Sequence, residues 1–228
     1  MVSEETRNLA NTIQYGIKQN GVNYADLSDL LDIAVNVLTV DSDTEWALKV
    51  TKYVKDCCDF GIAHSIDVLQ LDALYWKTLK IEANYLFEPF LYYMEKDRPD
   101  SKKFYKPRAK TLHIVVDDLQ DLEDGKITFY GLSLPPRVGK STICIFFLAW
   151  VMGRHPDLHN AMGGHSGILA KGFFKEALNL ITSVEYKFSE IFPDVTLESK
   201  SSDEFTVNLN TPDRFATLTC RGIDGTWT

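Results

Sequence analysis

The chain has 228 residues, of which 45% are hydrophobic and 25% are charged, and its formal net charge at pH 7 is −8. These values are ordinary for a globular protein, and no apolar run approaches the roughly 20 residues of a membrane-spanning helix, so we predict no membrane partner. The N-terminus lacks a secretory signal and the four cysteines lack zinc-binding spacing, which predicts a cytoplasmic protein with reduced thiols.

The first hundred residues have the apolar spacing of helices. One amphipathic helix is predicted over residues 27–38, and a second begins at the capping-box pattern Ser42-Asp43-Thr44-Glu45 and ends near Gly61. Residues 66–96 predict one long helix, or two with a break near Pro89. The aromatic side chains of this stretch are typical of a packed helical core, although a surface that stacks on a partner or on bases would have a similar pattern.

A polar, proline-containing linker over residues 97–107 follows, and the charge balance changes at the same place. Residues 1–100 contain 9 Lys and Arg against 17 Asp and Glu, whereas residues 101–228 contain 15 of each. We therefore predict an all-helical N-terminal region over residues 1–100 and a second domain over residues 101–228. Neither half is basic enough to indicate nucleic-acid binding by charge alone.

Predicted helices and strands alternate beyond the linker. The helices are predicted over residues 108–122, 139–152, 168–181 and 186–192. The strands are predicted over residues 127–134, 160–163, 204–209 and 214–220, the last two joined by the turn Asn210-Thr211-Pro212-Asp213. This alternation predicts an α/β domain with a mainly parallel sheet.

The segment with the clearest chemical signature is Pro135-Pro136-Arg137-Val138-Gly139-Lys140-Ser141-Thr142, which lies between a predicted strand and an apolar helix. A phosphate-binding loop needs this context, because the loop amides and the helix N-terminus supply partial positive charge. Gly139 permits close approach of the backbone, Lys140 has the position of the lysine that reaches the β and γ phosphates, and Ser141 has that of the magnesium ligand. The standard pattern has glycine where this chain has Leu134, so by this pattern alone a helix N-terminus with a surface lysine remains an alternative.

The loop Pro-Pro-Arg-x-Gly-Lys-Ser resembles the nucleotide-binding loop of the terminase large subunits of tailed bacteriophages, where the first glycine is commonly replaced and an arginine lies inside the loop. Four further segments are similar to the same family, namely residues 147–156, 165–170, 190–194 and 221–228. The resemblance covers roughly residues 103–228, and its linked motifs make it fairly specific.

This resemblance implies a P-loop NTPase core, incomplete in this chain, with ATP and Mg²⁺ as cofactors. It implies an ATPase that couples ATP hydrolysis to the translocation of double-stranded DNA into a viral capsid, in the cytoplasm of an infected bacterial cell. The implied partners are double-stranded DNA, a portal protein and a small terminase subunit, and the full-length motor is expected to form a homo-oligomeric ring.

Individual residues take roles by the same resemblance. Residues 135–142 would bind the nucleotide, with Lys140 on the β and γ phosphates and Ser141 on the metal. Arg137 would contact the γ phosphate or sense its hydrolysis, and Arg137 and Lys140 are the expected catalytic residues, because a cation suits the charge that develops on the transferred phosphoryl group. Upstream, Tyr105, Pro107 and Arg108 occupy the position where such ATPases often hold adenine, although an ordinary linker explains them equally well.

A P-loop ATPase also needs an apolar strand that ends in acidic residues, which steady magnesium and activate water. We expect this motif and the family's nuclease domain to lie beyond Thr228, so that the chain alone has little activity. Residues 113–118, His-Ile-Val-Val-Asp-Asp, imitate the motif but precede the loop and keep helical spacing, which predicts a helix with an acidic face.

Two alternative functions remain open at this level. The chain is a truncated, non-hydrolysing protein that binds or regulates a partner, or it is another P-loop NTPase such as a helicase. Turnover that requires Lys140 would exclude the first alternative, and the Pro-Pro-Arg loop disfavours the second.

Overall fold

The computed structural model of the chain describes residues 2–41, 43–210 and 214–223. Within these residues the structure contains nine α-helices and one four-stranded sheet, so the predicted α/β class is confirmed. The chain divides into two compact units, Met1–Glu82 and Ala83–Thr228, whereas its composition places the break at residue 100.

The first unit is all helical over its described residues. Its helices are α1 (Glu4–Asn20), α2 (Tyr24–Asn36), α3 (Thr44–Ala63) and α4 (Val68–Glu82), with a turn of π-helix at Val37–Asp41. Helix α3 is capped by Asp43, whose carboxylate accepts the Trp46 N–H at 3.2 Å. Ser42, the predicted cap, lies outside the described residues.

The core of this unit comes from the apolar faces of its helices. Its fully buried members include Leu27, Leu30, Leu31, Ala34, Val54 and Leu71. Gly61 does not end α3 as predicted, since the helix continues to Ala63. A Cβ at Gly61 would lie 2.3 Å from Leu71 Cδ1, so the glycine instead lets α3 pack closely on α4.

The second unit begins with helix α5 (Phe87–Met94). The stretch over residues 66–96 therefore contains two helices, which is the second of the two predicted arrangements, and the break precedes Pro89. Pro89 lies in the first turn of α5, where a backbone N–H has no partner within the helix, so the missing N–H of proline costs no hydrogen bond. Phe87 is buried and packs 5.3 Å from Trp150, whose indole N–H donates to Ala83 O at 2.9 Å. These contacts bring residues 83–100, which composition assigns to the N-terminal region, into the second unit.

Four more helices complete this unit: α6 (Ala109–Glu123), α7 (Lys140–Arg154), α8 (Gly167–Thr182) and the short α9 (Phe188–Ile191). Helices α6, α7 and α8 agree with their predictions to within two residues, and α9 is shorter than predicted. No helix in the described part of the chain is both long and apolar enough to cross a membrane.

The strands of the sheet are β1 (Asn160–Gly164), β2 (Leu197–Ser201), β3 (Thr206–Leu209) and β4 (Leu218–Gly222), in the order β1-β4-β3-β2. Strands β1 and β4 are parallel, with Asn160 opposite Leu218, and the other two pairs are antiparallel. The prediction of a mainly parallel sheet is therefore wrong for the described strands. The connections between β2 and β3 and between β3 and β4 are too short for the crossover that parallel pairing needs. The predicted turn residues 211–213 lie outside the described residues.

Residues 127–134 do not form the predicted strand before the loop. Their side chains alternate between half-buried and exposed positions from Tyr130 to Leu134, but none of the strands in the described sheet pairs with them. The Ile127 N–H donates to Asp121 O at 3.3 Å, and the Tyr130 hydroxyl hydrogen-bonds Asp118. Alternating side chains give a segment one half-buried face, but the segment becomes a β-strand only when its backbone hydrogen-bonds to a neighbouring strand.

Candidate functional site

The loop before α7 has an unusual backbone. Gly139 precedes the helix with φ 110° and ψ 20°, and Arg137 has φ 69°, whereas Val138 between them has no positive φ. Such alternation along a turn is the arrangement that directs successive N–H groups into one concave surface, where an anion can bind. The first turn of α7 adds N–H groups that have no partner within the helix, so the loop and helix start share a positive electrostatic character.

Glycine is required at position 139 for two reasons. Its φ of 110° lies in the region that side chains avoid. A Cβ there would also lie 2.6 Å from Phe104 Cε2 and 3.6 Å from Arg108 Cδ. The backbone of the loop therefore contacts the segment just before α6, a relationship that the sequence pattern did not reveal.

Three cations belong to residues near Gly139, two in the loop itself and one in the segment that contacts it. Lys140 and Arg137 are exposed, and the half-buried Arg108 donates through Nη1 to Phe104 O at 2.8 Å. None of these three is ion-paired with a carboxylate of the described residues. Other cations of the second unit differ, since Lys126 pairs with Asp121 and Arg154 pairs with Glu123.

This concentration of uncompensated positive charge occurs in a chain whose net charge is −8. A surface of this kind attracts a multiply charged anion, because the cations need not first break ion pairs within the protein.

The remaining predicted site residues line the same loop. Pro135 and Pro136 are exposed, Val138 and Thr142 are half-buried, and Ser141 is exposed in the first turn of α7. The Ser141 hydroxyl makes no hydrogen bond within the described residues, and an oxygen of this type suits Mg²⁺. Over the same residues, no group of three or more His, Cys, Asp or Glu side chains could hold a metal ion. The role of Ser141 as a metal ligand stays a prediction.

Tyr105 is not available to hold a nucleotide base. It is fully buried, its hydroxyl donates to Glu88 Oε1 at 2.7 Å, and its ring packs edge-on against Tyr92 at 5.1 Å. Burial and the hydrogen bond to Glu88 raise the pKa of the Tyr105 hydroxyl well above its usual range. Of the three residues that the resemblance places near adenine, Arg108 lies beside the loop, with its Cδ 3.6 Å from the position that a Cβ on Gly139 would take, whereas Pro107 is exposed.

The string at residues 113–118 is helical, as predicted. It lies within α6, where Leu112, Val115, Val116 and Leu119 are buried and Asp117 is exposed. The neighbouring Asp118 interacts with Tyr130, and burial together with this hydrogen bond raises the pKa of Tyr130 to about 12. Both carboxylates therefore lie on a helix and not at the end of a strand, with Asp117 on the exposed face and Asp118 beside Tyr130.

Sequence reasoning missed Glu95 and Phe104. Glu95 is a buried carboxylate that follows α5, and Phe104 is the ring that contacts Gly139. A carboxylate directly after the apolar run Tyr92-Tyr93-Met94 is the one local signal that could have drawn attention to Glu95.

Comparison of the chain with protein-family models, with curated proteins and with solved structures finds no match.

Proposed function

We propose that the loop over residues 135–142 and the start of α7 bind the phosphates of Mg²⁺-ATP, and that the chain is the ATP-binding part of a viral DNA-packaging motor of the terminase large-subunit type. The observation that carries the proposal is the group of three cations, Arg108, Arg137 and Lys140, which have no ion pair within the described residues and lie at a loop with positive φ at Arg137 and Gly139. A triphosphate is the common ligand whose charge and length match such a loop at a helix N-terminus.

The residues divide the work by their chemistry. The loop N–H groups and the N-terminus of α7 hold phosphate oxygens, Lys140 neutralises the β and γ phosphates, and Ser141 offers its hydroxyl to magnesium. Arg137 contributes a second mobile cation, which is best used where negative charge increases during phosphoryl transfer. Magnesium, when bound, would bridge and neutralise phosphate oxygens.

The coupling to DNA rests on the resemblance of the loop and its following segments to the terminase family. On that basis, the completed motor would form a ring, meet a portal protein and a small terminase subunit, and move double-stranded DNA in the cytoplasm of an infected bacterium. DNA-dependent stimulation of ATP turnover by the motor separates this proposal from a P-loop NTPase that does not act on DNA, such as a nucleotide kinase, and the absence of strand separation separates it from a helicase.

A titration with a fluorescent ATP analogue in the presence of Mg²⁺ tests the site. We expect saturable binding that Lys140→Ala abolishes or weakens at least about tenfold, the usual consequence of removing a charged phosphate contact. Lys171→Ala is the matched control, because Lys171 is an exposed lysine on α8 without an ion pair in the described residues. Equal binding by the wild type and Lys140→Ala would refute the site.

A non-hydrolysing binding or regulatory protein is the second candidate. It is favoured by residues 127–134, which approach the loop without pairing in the described sheet and so give the loop no strand support. ATP turnover measured with and without linear double-stranded DNA separates the candidates. Turnover that disappears in Lys140→Ala excludes the non-hydrolysing protein, whereas tight binding without turnover favours it.

A further inference from the structure

Glu95 is a buried carboxylate whose acceptors face one short piece of backbone. Its side chain is 3% exposed. The Phe104 N–H donates to both of its oxygens, at 2.8 and 2.9 Å, and the Tyr105 N–H donates to Oε2 at 3.0 Å. A carboxylate that accepts two neighbouring N–H groups fixes the backbone at that point, because hydrogen bonds to a charged acceptor are stronger than neutral ones.

Arg98 forms an ion pair with Glu95 that compensates the buried negative charge. Its Nη1 lies 3.1 Å from Glu95 Oε1, and its guanidinium lies 4.4 Å from the centre of the Tyr186 ring, whose hydroxyl it also contacts. Burial removes the solvation of the Glu95 carboxylate, and the attraction of the neighbouring guanidinium offsets that loss. The Glu95–Arg98 pair is therefore a fixed anchor in the second unit and not a solvent-exposed ion pair.

The backbone that Glu95 holds carries the ring that contacts the phosphate loop. Phe104 stacks on Phe146 of α7, with ring centres 5.5 Å apart and planes at 13°. Its other neighbour is Arg108, whose guanidinium lies 5.2 Å from the ring centre. The ring edge occupies the space next to Gly139 that a Cβ would need. Phe104 is thus fixed by its backbone from one direction and by α7 from the other.

We propose that Glu95 is a positioning residue for the phosphate loop: by holding the Phe104 backbone, it presses the Phe104 ring against Gly139 and keeps the loop in its anion-binding conformation. This inference rests on the proposed nucleotide site and adds the element that holds that site in shape. Glu95 touches no nucleotide in this scheme, and its effect passes through Phe104.

A double-mutant cycle on nucleotide affinity tests this route. The four proteins are the wild type, Glu95→Gln, Phe104→Ala and the double variant, each titrated with the fluorescent ATP analogue and Mg²⁺, and each also unfolded in urea. Glu95→Gln keeps the volume but replaces one acceptor oxygen by a donor that faces a backbone N–H. We expect it to weaken ATP binding about tenfold, because ATP must then supply the free energy that the hydrogen bond between Glu95 and the Phe104 N–H contributes to holding the loop.

The decisive comparison is made in the Phe104→Ala background. If Glu95 acts through the ring, Glu95→Gln has no further effect on affinity there, although it still lowers the urea midpoint. A role in stability alone would move the urea midpoint and leave ATP affinity unchanged. Unchanged affinity in folded Glu95→Gln, or losses that simply add in the double variant, would overturn the inference.

Two further proteins keep the test conclusive. Glu88→Gln is the matched control, because Glu88 contacts the Tyr105 hydroxyl rather than the Phe104 backbone, and we expect it to bind ATP as the wild type does. If Glu95→Gln does not fold, Glu95→Asp replaces it, since Asp retains the charge but is too short to keep both N–H groups, and the same outcomes apply. A wild type that binds no ATP would refute the proposed function and the inference with it, whereas binding that depends on Lys140 but not on Glu95 would refute the inference alone.

Discussion

Phe104 and Gly139 are matched in shape: a Cβ built on Gly139 would lie 2.6 Å from Cε2 and 3.0 Å from Cζ of the Phe104 ring. The two residues come from different segments, one before α6 and the other before α7, and they meet where the loop enters its helix. The loop is therefore shaped by a side chain outside the nucleotide-binding motif. Substitutions at either residue should change the affinity for ATP without any direct contact to the nucleotide being removed.

Gly139→Ala should reduce ATP binding by at least about tenfold, because the new methyl group meets the Phe104 ring and the φ of 110° is strained for alanine. Phe104→Ala in the same chain should recover part of this loss by relieving the contact, while the backbone strain remains. Gly131→Ala is the control, since a Cβ there would meet only Phe129 Cε1 at 3.8 Å, without a positive φ. Full binding by Gly139→Ala in the ATP titration would contradict the close contact.

Variants of Arg137 test the contribution of its positive charge to ATP binding separately from that of the loop backbone. Its φ of 69° is one that glycine adopts freely, so Arg137→Gly keeps the conformation and removes only the cation. We expect Arg137→Gly to weaken ATP binding about tenfold and Arg137→Lys to retain most of the affinity, as fits a charged phosphate contact. The same titration checks both variants, and wild-type affinity in Arg137→Gly would show that the Arg137 cation does not contribute to ATP binding.

The parts of the site that sequence could predict are the local ones. Gly139 followed by an apolar run predicts a helix that starts at the loop, and α7 begins at Lys140. Residues 113–118 contain enough β-branched residues to resemble a strand, yet their spacing at three and four residues predicts the helix that the structure has. Both predictions rest on periodicity within one element, which needs no knowledge of its neighbours.

The parts that sequence could not predict depend on distant partners. Residues 127–134 have the composition of a strand but lack a partner in the described sheet, and β2 was missed because it is polar and becomes a strand only by pairing with β3. The anchor at Glu95 is of the same kind, because its importance follows from Phe104, nine residues later in the chain. Pairing and buried polar contacts are set by tertiary structure, which periodicity does not encode.

The first unit contains a buried carboxylate whose ion pair should be costly to break. Glu82 is fully buried, accepts a hydrogen bond from Thr51 Oγ1 at 2.9 Å and pairs with Lys55 Nζ. Lys55→Met should lower the free energy of unfolding of this unit by about 3 kcal/mol, because it leaves a buried carboxylate without its cation. Urea unfolding followed by circular dichroism measures the change.

The control for this variant is Lys49→Met, which removes an i,i+4 pair with Glu45 on the same helix. The two side chains of that pair are 71% and 82% exposed, so we expect a loss of less than about 0.5 kcal/mol. Similar losses in the two variants would show that burial of Glu82 does not make its ion pair costly to break.

Asp97 should stabilise the second unit slightly at neutral pH, and this stabilisation should disappear in acid. Its carboxylate lies 2.6 Å from Lys187 Nζ, and this hydrogen bond holds the pKa of Asp97 below its usual value of 3.8. A lowered pKa in the folded state means that the stabilisation is present above pH 3.8 and is lost as the pH falls through the folded pKa. Because Asp97 is 59% exposed, Asp97→Asn should cost only about 0.5 kcal/mol near neutral pH and nothing near pH 2.

Asp59→Asn is the contrasting control, since burial raises the pKa of Asp59 and the amide should not destabilise the protein at neutral pH. Urea midpoints across this pH range check the pair, and a penalty in Asp97→Asn that persists at low pH would show that packing, and not the charge on Asp97, is what the substitution removes.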